Sequence, residues 1–400
     1  MKVLIISHAY VERDNHKKLI ELSKISGLEI GVIYPSFWRT WHGEMKAQIS
    51  QPNPPRADWA EKLKPQNLYK EFSLDTFFSG DGGRYFYNPW QLFSAIKKFR
   101  PDMIHLEEEP FTPVALETTI FSRLLSIKMI FFSWENIDLS LGLWRIFIEK
   151  VVFRSSTAAV VGNLEAKDRV ERRGFIKRVE VIPQFGVDAE LFMVLQKDHP
   201  LEGLSLGSDF TVGFVGRPSL VKGIDTLFQA VDNLEANVRL LIVTSSPSIS
   251  NEIIVLAKES GIQDRVEFKT SITHSQLPEC FNKMDVFVLP SRTTKTWKEQ
   301  FGRTLIEAMA CGIPVIGSSS GAIPEVIGED GFVFREGDAK DLSKYIEMLE
   351  GDSDLWKEMS KRGLESVRKN YSFQKIAEKT AAFYFRTPRT SGRLSLLPEG

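Results

Sequence analysis

The sequence predicts an α/β protein built from two doubly wound parallel sheets that face a cleft. Three observations carry this. Short runs that are apolar throughout, rather than alternating, require strands buried on both faces, as in a parallel sheet covered by helices. Segments with helical periodicity separate those runs. The pattern then starts again at Phe210, and 400 residues exceed what one hydrophobic core ordinarily serves.

In order, the first half reads as the strand KVLIIS (2–7), a helix near 15–25, and the strand LEIGVIY (28–34). A helix at 90–99 leads into PDMIHLE (101–107), and another at 114–125 into KMIFFS (128–133). TAAVVG (157–162) and RVEVIP (178–183) complete this half. The second half supplies TVGFVG (211–216), RLLIVT (239–244), RVEFKT (265–270), DVFVLP (285–290), IPVIG (313–317) and GFVF (331–334), each separated by a helical segment. Residues 190–209 lack a strong period and carry Pro and Gly, so they read as a linker. The expected division is a first domain over 1–190, a linker over 191–209 and a second domain over 210–370. Residues 386–400 read as a disordered tail.

Composition excludes several classes. Lys and Arg number 51 against 52 Asp and Glu, so nothing points to bulk nucleic-acid binding. The two cysteines, Cys280 and Cys311, form no CxxC, and no histidines stand at ligand spacing, which argues against a disulfide framework or structural zinc and fits a reducing cytosol. No apolar run approaches about 18 residues, so neither a spanning helix nor an export signal is expected.

The segment EQFGRTLIEAMACGIPVIG (299–317) carries the chemistry. Glu299 and Glu307, eight apart on a continuous helix, would lie about 80° and about 12 Å apart, so they cannot grip one point. They suit different parts of one ligand. Gly302 permits close backbone approach where the helix begins, and the free N–H groups there form a phosphate seat. By themselves, two such glutamates also read as surface carboxylates of an amphipathic helix. Their position after the strand DVFVLP, at the ligand-binding end of a parallel sheet, favours the functional reading. In TVGFVGRPSLVKG, Arg217 and Lys222 bracket the loop after another strand and can neutralise a diphosphate leaving group. The chain has no GxxxxGK[ST], and no GxGxxG follows its first strand, so triphosphatase and dinucleotide readings lose support.

Taken together, VIPQFGVDAELF, VGRPSLVKG, DVFVLPS and KTWKEQFGRTLIEAMACGIPVIGSSSGAIPEVI resemble the retaining, GT-B-fold, nucleotide-sugar glycosyltransferases of family four. The resemblance is strong over 181–334 and rests on strand pattern alone before that. It implies that Arg217 and Lys222 bind the donor diphosphate, with Gly216 allowing its close approach. It implies further that Glu307 takes the ribose hydroxyls, Glu299 the donor sugar, and the backbone of Phe301, Gly302 and Arg303 the phosphates. EFKTSITH, with Ser271 and Ile272, falls at the base pocket, and the segment 371–385 is similar to the family's helix that crosses back to the first domain. No metal and no cofactor are implied, the nucleotide sugar being a substrate. The D-x-D at Asp352 and Asp354 reads as a helix cap.

The chain departs from the family after KMIFFS, where a histidine is common and Trp134, Glu135 and Asn136 stand instead. Either Glu135 or Asn136 contacts the donor sugar, or the role has moved. The first loop has His8 where a glycine pair is common; His8 reads as an acceptor or donor contact, although a loop histidine is more often polar surface. In HLEEEPFTP, one of Glu107, Glu108 and Glu109 is expected to line the cleft. Phe37, Trp38 and Trp41 read as a loop that stacks on sugar, dips into lipid or packs on its own domain. Residues 154–178 carry seven Lys or Arg against three Asp or Glu, which suits an anionic membrane or a solvated helix. The expected partners are a nucleotide-diphosphate sugar and a glycan, lipid-linked or small-molecule acceptor, with peripheral contact at the inner membrane face. Two alternatives stay open: a GT-B sugar-nucleotide epimerase or hydrolase, and a silent nucleotide-sugar-binding partner.

Overall fold

The computed structural model describes residues 1–40, 43–46, 68–138, 140–195 and 209–387, with only the backbone at 40 and 43–46. Expectations for Trp41, for most of the linker (196–208) and for the tail from 388 onward lie outside the described residues.

Two parallel sheets organise the chain. In the first, Val179–Val181, Ala158–Val161, Lys128–Ser133, Met103–Leu106, Lys2–Ile6, Glu29–Pro35 and Lys70–Leu74 lie side by side in that order. In the second the order is Val266–Lys269, Val238–Val243, Phe210–Val215, Val286–Leu289, Val315–Ser318 and Phe332–Phe334. Every neighbouring pair in both sheets is parallel. Central strands such as Met103–Leu106 and Val286–Leu289 are buried at every position, which is why their sequences do not alternate.

Strand order reverses between Lys2–Ile6 and Met103–Leu106 in the first sheet, and between Phe210–Val215 and Val286–Leu289 in the second. Such switch points open a crevice at the carboxyl ends of the strands. Ser7 and Glu107 begin the loops there in one sheet, and Gly216 and Pro290 in the other.

The helix Phe373–Arg386 returns to the first sheet. Its Ile376, Ala377, Ala381, Phe383 and Tyr384 enter the first core, and the Tyr384 hydroxyl stands 2.7 Å from His105 Nδ1. Val187 and Ser372 pair as a parallel bridge where the two crossing segments meet. Arg386, assigned above to the tail, is the last residue of this helix. Asp352 caps the helix Ser353–Ser366, accepting from the N–H groups of Asp354 and Leu355, as expected.

The structure narrows two surface readings, and for Trp38 it favours packing on its own domain. Phe37–Thr40 is a strand paired antiparallel with Gly43–Lys46, and Trp38 is buried, stacked on His8 at 4.7 Å and edge-on to Tyr85. Packing inward, Trp38 presents nothing to lipid. The basic excess of 154–178 is largely spent inside the domain: Arg169 and Arg173 hold Glu149, Arg172 holds Asp138, and Lys177 binds the carbonyls of Phe153, Arg154 and Ser156.

Candidate active site at the switch points

The second sheet's switch point collects the residues singled out above. Lys222 closes a short 3₁₀ turn after the strand Phe210–Val215, and its Nζ lies 2.7 Å from Glu299 Oε2. The Ser291 hydroxyl donates to the same oxygen at 2.7 Å, and the Lys222 ammonium sits 4.7 Å over the Trp297 ring. Glu299 is buried, so these partners offset the desolvation of its carboxylate. Gly216 has φ 141° and Arg217 beyond it is exposed at the mouth of the same loop.

Gly302, at φ 79°, precedes the helix Arg303–Ala310 and no side chain caps that end. Its left-handed backbone turns the chain from the Glu299 loop into the helix. Phe301 is buried against Trp134 of the first domain, with ring centroids 5.5 Å apart. One and a half turns on, Glu307 is buried with its Oε1 held by Arg303 Nε at 3.0 Å and by His274 Nε2 at 2.9 Å. Ser271 and Ile272 follow the strand Val266–Lys269 on the same edge. Ser271 has φ 58°, a strained value for a serine and one that concentrates at functional loops.

Asn136 reaches across from the first domain. Its amide donates to the Glu299 carbonyl at 3.1 Å and to Glu165 at 3.0 Å, while its Oδ1 is buried without a hydrogen-bond partner. Asn163 donates to the Gln300 carbonyl at 2.7 Å, and Lys298 pairs with Glu165. The loop 298–300 is thus fixed by both domains. The Glu135 carboxylate accepts from the Ile137 N–H of its own turn.

At the first sheet's switch point, Glu108 accepts from the His8 backbone N–H, lies 2.7 Å from His8 Nδ1 and accepts from Tyr85. Burial draws the His8 pKa down, but the Glu108 carboxylate outweighs it and leaves the ring above its ordinary value. Glu109 accepts from Ser133 Oγ at 2.6 Å and from the N–H groups of Trp134 and Glu135; burial nevertheless pushes it up to about 7. Glu107 is a structural residue, fully enclosed by Lys18, Tyr10 and Gln184.

Three participants escaped the sequence reading. His274 lay within the quoted EFKTSITH but had no distinguishing spacing. Ser291 is an ordinary serine after a strand. Gly321, at φ 55°, backs onto Glu299 so closely that a Cβ there would stand 2.0 Å from the Glu299 carbonyl oxygen. Among the described residues, no three His, Cys, Asp or Glu side chains converge as a metal site.

Comparison with known proteins bears on this geometry. Residues 200–366 match the family described as glycosyl transferases group 1. A D-inositol 3-phosphate glycosyltransferase of Xylanimonas cellulosilytica is 31% identical over 198 residues, 46% of each chain. An N-acetyl-alpha-D-glucosaminyl L-malate synthase of Bacillus anthracis is 33% identical over 169 residues, 41% of this chain and 42% of its own. The matched part thus spans less than half the length of each of these relatives. Over the whole fold, Anabaena HepE in complex with UDP superposes with a TM-score of 0.69 at 16% identity, covering 96% of this chain and 100% of that one. This likeness establishes the GT-B fold, two Rossmann-like domains facing a cleft.

Proposed function

Because residues 200–366 match the family described as glycosyl transferases group 1, we propose that the protein moves a sugar from a nucleotide-diphosphate donor to an acceptor held by the first domain. The observation that carries this reading is the Lys222–Glu299–Ser291 cluster at the second switch point, with Glu307 on the helix immediately following. The donor's anomeric carbon–oxygen bond breaks, and negative charge develops on the diphosphate. Lys222, Arg217 and the uncapped N-terminus at Arg303 stabilise that charge, and Gly216 lets the phosphates approach. Glu299 accepts from hydroxyls of the sugar, while Glu307 accepts from the ribose. The acceptor oxygen bonds to the anomeric carbon on the face the diphosphate leaves, so configuration is retained, and the acceptor's proton passes to the departing phosphate. The chain's own cations carry the leaving-group charge, and we expect turnover in EDTA.

The acceptor end of the cleft is the His8, Glu108 and Glu109 region. We place the reaction in the cytoplasm at the inner membrane face, in synthesis of a cell-surface polysaccharide or glycolipid; the free, buried state of Cys280 and Cys311 suits a reducing compartment.

A thermal-shift panel of UDP, GDP, ADP, CMP and their sugar conjugates in EDTA tests the donor site. A nucleotide at about a hundred times its dissociation constant adds about 2.7 kcal/mol. We expect one base to raise the Tm by several degrees and Lys222→Ala to abolish the shift. No shift with any nucleotide would remove the donor assignment. Sugar released from the responding conjugate without acceptor, with none transferred when acceptors are added, would make the enzyme a hydrolase.

A further inference from the structure

The helix Leu143–Ser155 turns two unlike faces. Inward it buries Ile148, Glu149, Val152 and Phe153. Glu149 is its only carboxylate, and that group is consumed by Arg173 at 2.5 Å and Arg169 at 3.5 Å. Outward, Leu143, Phe147, Lys150 and Arg154 fall within about 60° of one another around the axis. Leu143 is 88% exposed, Trp144 60% and Phe147 53%, and the Trp144 and Phe147 rings stack at 5.6 Å. Bulky apolar groups therefore fill the first turns of the outer face, and the charges that follow on it are all positive.

A cavity of about 490 Å³ opens beside Trp144, walled by Phe78, Phe86 and Phe111 and bordered by Arg84 and Arg145. Arg145 is held there by the Gly83 carbonyl at 3.3 Å. The same loop continues to Tyr85, which donates to Glu108, and its Gly82 faces His8. Aromatic walls, arginine borders and the acceptor end of the cleft are thus neighbours along one short segment.

We propose that this face docks on an anionic lipid bilayer. Leu143, Trp144 and Phe147 enter the headgroup–acyl boundary, Lys150 and Arg154 meet lipid phosphates, and the cavity receives the upper chain of one lipid against Arg84 and Arg145. Exposed Leu, Trp and Phe side chains beside cations on one face supply the two attractions that hold a protein at an anionic interface, apolar burial and charge. A second copy of this chain fits poorly, because its matching face would bring cation against cation. The proposal rests on the reading of a membrane-side acceptor and names the surface that would reach it. Arg154 is shared with the basic stretch the sequence suggested, but Trp38 is buried and Arg169, Arg172, Arg173 and Lys177 are held within the domain.

The test is co-sedimentation of the full chain with phosphatidylcholine vesicles with and without phosphatidylglycerol. Binding should be at least tenfold stronger with the anionic lipid and should weaken with salt. Trp144→Glu with Phe147→Glu should lower it at least tenfold, and Lys150→Glu with Arg154→Glu should erase the preference for anionic lipid, each with the Tm unchanged. Wild-type protein that ignores both vesicles, or variants that bind as wild type, would overturn the proposal. So would a dimer that the Trp144→Glu change splits, which would assign the face to a second copy. The nucleotide panel is independent: a donor response without vesicle binding keeps the transferase reading, and vesicle binding without a donor response keeps this surface.

Discussion

His274 joins Asp14 of the first domain to Glu307 of the second, its Nδ1 3.1 Å from one carboxylate and its Nε2 2.9 Å from the other. Burial lowers the pKa of the ring, but its pairing with the Asp14 and Glu307 carboxylates outweighs this and raises it to about 9. The folded value stands above the unfolded value of 6.5, so the contribution to stability is complete below 6.5 and is lost as pH rises through 9. Asp14 is held below its ordinary value by its pairing with His274, so its share is lost in acid instead. The Tm advantage of wild type over His274→Gln should shrink steadily between about pH 6.5 and 9.5. A pH-independent difference would mean that the ring is neutral.

Lys222 and Glu299 should fail differently. Lys222→Ala leaves a buried carboxylate with Ser291 as its remaining side-chain partner, costing about 1–3 kcal/mol in denaturant unfolding. It should also remove nucleotide binding. Glu299→Ala should keep nucleotide binding and lower turnover by about 10²–10³-fold, the scale for losing one preorganised group. Calorimetry on the two variants, paired with rates on the responding donor, separates the roles. A Glu299→Ala rate within twofold of wild type would mean that the sugar is held elsewhere.

Gly321 tests how tightly the Glu299 loop is set. An alanine there adopts φ 55° at a cost of about 1–2 kcal/mol for the left-handed backbone, before its Cβ meets the Glu299 carbonyl oxygen. The Ala322 N–H donates to that carbonyl, so the clash is transmitted directly to the loop. Gly321→Ala should lose stability and turnover together. Full turnover in a folded variant would show that the loop has another position open to it.

The sheets were legible because their strands are buried on both faces: KVLII, MIHL and VFVL announce themselves by composition. Lys70–Leu74 did not, since this edge strand has mostly exposed or half-buried positions and a polar start. The hairpin at Phe37 reads as loop in the sequence because it shows no repeating apolar face, its Trp38 packing on His8 and Tyr85 instead. Within the site, Glu299, Glu307 and Lys222 were found from motif and position. Ser291, His274 and Gly321 were not, because their meaning lies in what the fold brings beside them. Asn136 was noticed as a departure, yet its bond to the Glu299 carbonyl depends on how the two domains meet.

Glu109 acts through the loop that carries Asn136. Its carboxylate accepts from Trp134 and Glu135, and Asn136, the next residue, reaches the Glu299 carbonyl. Burial, aided by repulsion from Glu135, pushes the group up to about 7 against the donors that hold it down. Its folded pKa exceeds the unfolded 4.5, so the folded state binds the extra proton, and wild-type stability relative to Glu109→Gln should fall as pH rises from about 4.5 to 7. Glu109→Ala frees two N–H groups and should lower kcat/KM about tenfold with donor affinity little changed, as expected when a positioned group shifts. Glu109→Gln keeps an acceptor oxygen in place, so it should recover most of that loss while flattening the limb of the pH–rate profile near 7. An Ala variant as fast as wild type would confine Glu109 to the loop's architecture; a Gln variant that keeps the limb near 7 would assign that titration to another group, with His8, raised by Glu108 at the same end of the cleft, the next to test.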